Sequence, residues 1–345
     1  MDYQNRLKSL NPQQLEAVIY IDGPLVVRAG PGTGKTQILT MRIENILKRT
    51  DILPENILCL TFTESAAENM RQRLYGAIGK PSRRVNFYTF HSFGSHLISK
   101  LNDYSDKTNL YKSIEEIATY EIIEELLDKL DHNNPLSRRN QDGFYYIKYI
   151  NTLFQWLKKS GLNSATILED IDQSEKFFDL SIKTLSETFS DRTSKKLLPA
   201  YQQLFTKLKS NHQKYPSKSG SQSIKELAVS IDDITLQDSS KPITLWKNKW
   251  TAKNSQNKTI YLDQRHISKF RSAILLLNQY QNRLDAKGYF DYDDMILKAS
   301  NALKTNRDFK LNIQEQYQYI LVDEYQDTNG AQNQLLELLC DNPVY

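Results

Sequence analysis

Cysteine is almost missing from this chain of 345 residues, and the two present, Cys59 and Cys340, stand in no metal-ligand spacing. That excludes a disulfide framework and leaves two small apolar core residues in a reducing compartment, so a cytoplasmic location is expected. Long hydrophobic runs are missing as well. No stretch reaches eighteen apolar residues, and the N-terminus MDYQNRLKSLNPQQ lacks the apolar segment of a signal peptide. Neither a spanning helix nor a membrane partner is expected. A strong excess of one charge is also lacking: the net charge is +4, too little for a histone-like binder. No internal repeat is visible.

The distribution of charge says more than its sum. Residues 207–258 hold ten lysines against four acids, Glu226, Asp232, Asp233 and Asp238. A basic insert on a near-neutral body fits a nucleic-acid partner and fits a solvated loop equally well. The length suggests about two domains, and 39% apolar with 25% charged residues is ordinary for a globular chain.

Residues 24–28, PLVVR, read as a strand that ends in a glycine-rich turn, with an amphipathic helix over 37–48. Further apolar strands are expected at 57–61, 85–89 and 319–323, with helices at roughly 64–78 and 91–100. Strands alternating with helices point to a parallel α/β sheet that binds ligands at the strands' carboxyl ends. Between 101 and 286 the pattern turns helical. Ser113-Ile114-Glu115-Glu116 is a capping-box pattern, followed by Ile117, Ile122, Ile123, Leu126, Leu127 and Leu130 at helical spacing. Similar helices are expected near 143–160, 194–214 and 264–287. The expected division is an α/β domain from 1–100 and 287–345, with a helical subdomain over 101–286. Within the latter, 215–260 is rich in Ser, Lys, Asn and Gln despite Trp246 and Trp250, and reads as a long or partly disordered loop.

Two strings carry chemistry. Ala29-Gly30-Pro31-Gly32-Thr33-Gly34-Lys35-Thr36 has the composition of a phosphate loop opening a helix. Its glycines let backbone amides curl around an anion, and the helix N-terminus adds unpaired donors and partial positive charge. Lys35 would reach the β and γ phosphates, and the Thr36 hydroxyl would hold Mg²⁺. Ala29 replaces the usual first glycine. Far downstream, Tyr319-Ile320-Leu321-Val322 runs into Asp323-Glu324. Asp323 suits a Mg²⁺ site, and Glu324 suits a base acting on water, which favours hydrolysis over transfer to another acceptor.

Four further strings sharpen the class: Leu10-Asn11-Pro12-Gln13-Gln14; Thr61-Phe62-Thr63 followed by Ala66-Ala67 and Met70; Thr89-Phe90-His91-Ser92; and Asp323-Glu324-Tyr325-Gln326-Asp327-Thr328-Asn329. With the phosphate loop they resemble motifs Q, I, Ia, Ib and II of UvrD/Rep/PcrA-like superfamily 1 helicases, in order. The likeness is sharp over about 10–96 and 288–340.

Physically, the Gln14 amide suits the N6/N7 edge of adenine, and Phe62 could pack in the core or stack on a base. Thr61, Thr63, Thr89, His91 and Ser92 could donate to phosphates. The resemblance implies a RecA-like ATP-binding domain (1A) with an inserted helical subdomain (1B). ATP and Mg²⁺ would bind through Gln14, residues 29–36, Asp323, Glu324 and Gln326. Single-stranded DNA and single/double-strand junctions would meet Thr61, Phe62, Thr63, Thr89 and His91. The implied activity is an ATP-dependent 3′ to 5′ helicase or translocase.

Some residues depart from the pattern. Gln37 stands where relatives often carry arginine, and Glu64-Ser65 where many carry Asn-Lys. Gly288-Tyr289-Phe290-Asp291-Tyr292-Asp293-Asp294-Met295 resembles the segment that returns the chain to the first domain, although its acids also suit a plain helix start. The Gly-Asp-x-x-Gln strand and the second RecA-like domain of the family do not follow. The expectation is therefore an N-terminal fragment, nearly inactive alone, whose sheet lacks the strand between PLVVR and the Asp-Glu strand. The motor part of a helicase–nuclease and a non-catalytic, ATP-gated single-strand binder are the alternatives.

Overall fold

The structure, a computed structural model, describes residues 3–30, 32–104, 112–141, 143–190 and 192–341. Helices α1 (Tyr3–Lys8), α2 (Pro12–Ile19) and α3 (Lys35–Arg49) precede β1 (Ile57–Thr61), α4 (Glu64–Ile78), β2 (Asn86–Thr89) and α5 (Phe90–Tyr104). After β3 (Lys112–Ser113) come α6 (Glu116–Asp128), β4 (Arg139–Asn140), β5 (Gly143–Phe144), α7 (Ile147–Ser160), α8 (Ser164–Thr188) and α9 (Leu198–Lys214). Next are α10 (Lys218–Gln237), α11 (Lys241–Trp250), β6 (Thr251–Lys253), β7 (Thr259–Tyr261) and α12 (Ile267–Lys287). The described course closes with β8 (Tyr289–Phe290), α13 (Asp294–Thr305), α14 (Arg307–Gln316), β9 (Tyr319–Val322) and α15 (Gly330–Cys340).

The chain folds as two compact units. Met1–Glu115, Gln155–Gly161 and Gly288–Tyr345 form the first, and Glu116–Phe154 with Leu162–Lys287 form the second.

In the first unit, β1 is buried along its whole length, the mark of a central parallel strand covered on both faces. It pairs in parallel with β2 on one side and β9 on the other, giving the order β2-β1-β9. Alternation sends Leu58 and Leu60 to one face, against Phe90, Phe93 and Leu97 of α5 and the apolar sides of α13, α14 and α15. Ile57 and Cys59 point to the other face, against α3 and α4. The result is a helix-rich, three-layered α/β unit.

The expected strand at 24–28 is not formed. Residues 24–28 have no strand partner, and Leu25, Val26 and Val27 are exposed, Val26 at 75%. Among the described residues β9 is an edge strand, and residues 24–28 do not pair with its open edge.

The return of the chain at 288–294 is more than a helix start. Asp291 and Asp294 exchange backbone and side-chain hydrogen bonds at the head of α13. The buried Lys158 ammonium near the end of α7 pairs with both, at 2.5 Å and 2.8 Å. Close by, a Cβ on Gly330 would collide with the Ser160 carbonyl oxygen, so only glycine lets α15 start there.

The second unit corrects the reading of 215–260. Those residues form α10, α11 and the β6–β7 hairpin. Ser217 caps α10 by accepting from the Gly220 amide, and Ile224, Leu227, Ile231 and Ile234 repeat at helical spacing beneath the polar composition. They pack with Phe177 and Phe178 of α8, Tyr201, Leu204 and Leu208 of α9, and Ile243 and Trp246 of α11. Buried Trp246 donates its indole N–H to the Ser223 carbonyl at 2.8 Å. Trp250 and Lys249 both donate to Glu226 at 2.8 Å, tying α11 to α10. This network pulls the Glu226 carboxyl down to about 2, with the Lys249 hydrogen bond as the largest cause.

Candidate functional site

The glycine-rich loop leads directly into α3. Gly32 and Gly34 sit at φ of 74° and 86°, left-handed backbone that glycine adopts at no steric cost, and Gly34 is the N-cap of α3. No side chain caps this terminus, so its amides stay available to an anion. The Thr33 hydroxyl donates to the Gly30 carbonyl at 2.8 Å and closes the turn. Ala29 and Gly30 enter it, and Pro31 lies outside the described residues. Gln14 reaches the loop from α2, where its Nε2 donates to the Thr33 carbonyl at 3.2 Å. Its Oε1 accepts from the Asn11 amide at 3.0 Å as part of a capping box, so in this state the amide supports the loop from its own helix.

Lys35, the first residue of α3, meets Glu324 across the fold: Nζ to Oε2 is 3.2 Å. Two residues 289 apart in sequence are thus brought together at the carboxyl end of β9. Gln326 also donates to Glu324. These two hydrogen bonds, Gln326 first and Lys35 second, hold the Glu324 carboxyl below its usual range. Asp323 behaves oppositely. Half-burial and then the neighbouring Glu324 charge raise its pKa, while its backbone amide extends the β9 ladder to the Leu60 carbonyl at 2.9 Å. Glu324 itself stands at φ 51°, ψ 44°, a left-handed conformation that is uncommon for a side chain of its size.

Thr36 and Asp323 are the sequence neighbours of the Lys35–Glu324 pair. One hydroxyl and one carboxylate are the donor set of a Mg²⁺ ion that keeps water and phosphate oxygens as its other ligands. No cluster of three or more His, Cys, Asp or Glu able to hold a metal by itself occurs among the described residues.

The remaining expected residues gather at the ends of β1 and β2, where Thr61 and Thr89 are register partners. Phe62 is exposed at 38% and touches Phe90 edge-on, with centroids 6.0 Å apart. Thr63 caps α4 by accepting from the Ala66 amide and shares a hydrogen bond with Ser65. Thr61 and Thr89 are buried. Thr61 donates to the Thr63 carbonyl, and Thr89 donates to Glu64 while accepting from the Ser92 amide. Both hydroxyls are thus engaged within the protein.

His91 stacks on Tyr292, with centroids 3.9 Å apart and planes within 16°. Burial and the Lys159 charge lower its pKa, so it is neutral at pH 7. Tyr292 was not legible as a site residue, since it sits among acids that suit a helix start. Its 60% exposure on the His91 ring singles it out.

Fold and site together define a class: a helix-rich α/β protein with a small parallel sheet, whose glycine loop at a helix N-terminus faces a strand-end carboxylate pair, as in P-loop proteins. Within that class, the chain belongs to the UvrD/Rep helicase family, because the family model described as UvrD/REP helicase N-terminal domain matches residues 10–344. A DNA helicase II of Rickettsia typhi is 27% identical over 333 residues, which cover 96% of this chain and 35% of the relative. An ATP-dependent DNA helicase UvrD1 of Mycobacterium tuberculosis is 24% identical over 333 residues, covering 96% and 30%. An ATP-dependent DNA helicase Rep of Buchnera aphidicola is 25% identical over 342 residues, covering 96% and 36%. The chain therefore spans about a third of the length of these relatives. No helix among the described residues is long and apolar enough to cross a membrane.

Proposed function

We propose that this chain carries the ATP-binding part of a DNA helicase or translocase that tracks single-stranded DNA, 3′ to 5′ as the resemblance implies. On this reading residues 1–100 and 287–345 are a RecA-like domain 1A, and 101–286 an inserted subdomain 1B. The observation that supports it most is the Lys35–Glu324 pair, which joins the glycine loop to the strand-end carboxylates at 3.2 Å.

The chemistry follows from the pair. The α3 N-terminal amides and the Lys35 ammonium bind the β and γ phosphates of ATP. Lys35 then leaves Glu324 for the phosphate oxygens. Glu324, ionised at neutral pH, is free to take a proton from water as its oxygen attacks the γ phosphorus and the bond from that phosphorus to the β–γ bridging oxygen breaks, with ADP as the leaving group. Thr36 and Asp323 would hold Mg²⁺, which supplies neutralising charge to the phosphate oxygens. Gln326 holds the Glu324 carboxylate in place, and Gln14 favours adenine by reaching from the loop to the base edge.

Beside this site, Phe62 and the His91–Tyr292 stack offer aromatic faces to the bases of a single strand. The second RecA-like domain of the whole protein would supply the opposite wall. The exposed Leu25–Val27 segment and the open edge of β9 are where a further strand would complete the sheet.

Glu324→Gln in the intact protein tests the reading. ATP binding should survive while DNA-stimulated hydrolysis falls by several orders of magnitude. Hydrolysis at the parent rate would remove Glu324 as the base. ATP and DNA binding without hydrolysis in the parent would leave an ATP-gated binder.

A further inference from the structure

We infer that Glu64 sets how tightly, and with what salt dependence, this face holds a single strand, acting as a fixed negative charge beside the phosphate path. The inference rests on the reading of the Phe62/His91/Tyr292 face as the strand-binding face and adds a residue that weakens the contact.

Three observations place the charge there. Glu64 is the first residue of α4, exposed, directly after Phe62 and Thr63. Its Oε1 accepts from the Thr89 hydroxyl at 3.0 Å, which withholds that donor from an approaching phosphate. Its charge also acts on the Tyr292 phenol, whose pKa is raised by burial, then by Asp293, then by Glu64. Glu64 therefore lies amid the Thr63/Ser65 hydroxyls, Thr89 and the His91–Tyr292 stack.

A helix N-terminus ordinarily draws phosphate through unpaired amides and the helix dipole. Here a carboxylate occupies that field. It stabilises α4 and repels the phosphates that the aromatic faces bring near. A motor that steps must release the strand in every cycle, and a resident negative charge speeds release without removing the base stacking. The same carboxylate makes affinity rise with salt screening at the one point where neighbouring contacts make it fall.

The test is fluorescence anisotropy of labelled oligothymidylate with the parent chain, Glu64→Gln, Glu64→Lys and Phe62→Ala, from about 50 mM to about 500 mM salt. Glu64→Gln keeps the acceptor for Thr89 and removes the charge. It should bind about fivefold tighter at low salt, with the gain fading as salt rises. Glu64→Lys should steepen the slope of log K against log salt by about 0.7, the value for one added single-strand phosphate contact. Phe62→Ala should weaken binding in every background. Unchanged affinity and slope in both Glu64 variants, with Phe62→Ala still weakened, would reduce Glu64 to a helix-end acid and overturn the inference while sparing the face. No effect of Phe62→Ala either would overturn both.

Discussion

Glu324 shows at the scale of one residue how the site is poised. Its backbone is left-handed, a conformation that costs a bulky residue about 1–3 kcal/mol and persists only where the surroundings fix it. Those surroundings are Lys35 and Gln326, which keep the carboxyl ionised below its usual range. Both hydrogen bonds act in the nucleotide-free protein, so kcat/KM, which reports the free enzyme, should lose activity on the acid side only below the ordinary carboxylate range. Lys35→Ala should abolish ATP binding as read by titration calorimetry, because it removes the ammonium that the loop turns toward the β and γ phosphates. Phe62→Ala should cost the single-strand complex about 1–3 kcal/mol, a five- to hundredfold loss if one base stacks there.

The strings that hold Lys35 and Glu324, which meet in the fold, were legible because they carry local backbone demands. Tyr292 and Glu64 were not. Both lie within motif-like strings, but their importance comes from which strand ends the sheet sets side by side, which those strings do not report.

At the scale of elements, composition and periodicity disagreed over 215–260, and periodicity was the better guide. Ser- and Lys-rich composition suggests a loop. Burial, however, is decided by Ile224, Leu227, Ile231 and Ile234 lying on one face of α10. Trp246→Ala should destabilise the helical unit by about 3–5 kcal/mol, read as a lowered unfolding midpoint in urea. A loop reading predicts almost no change.

Glu226 adds a pH test. Its folded pKa is depressed from 4.5 to about 2, so its contribution is fully present above 4.5 and is lost as pH falls toward 2. Thermal unfolding of the parent should decline across that window more steeply than that of Glu226→Gln.

The segment 24–28 shows the converse failure. PLVVR has strand composition, but a strand exists only when it is paired, and residues 24–28 pair with no strand among the described residues. What a segment prefers and what it can pair with are separate facts, and sequence pattern reports only the first. The helices expected at 37–48, 64–78, 91–100, 143–160, 194–214 and 264–287 and the three paired strands were legible because each buries its own apolar face against a neighbour that is present.

For the whole molecule, the charge distribution carries the remaining prediction. Replacing lysines of α10, α11 and the β6–β7 hairpin with glutamine should flatten the salt dependence of duplex or junction binding if those elements touch phosphates. The slope should fall by about 0.9 for each phosphate no longer neutralised. An unchanged slope would leave the lysines as a solvated surface.

The central claim is that the site built here drives a DNA-dependent ATPase. Steady-state ATP hydrolysis by the intact protein, with and without single-stranded oligonucleotide, measures it most directly. The account predicts Mg²⁺-dependent hydrolysis that DNA stimulates strongly and that Glu324→Gln abolishes while nucleotide still binds. Hydrolysis indifferent to DNA, or undiminished in Glu324→Gln, would contradict it.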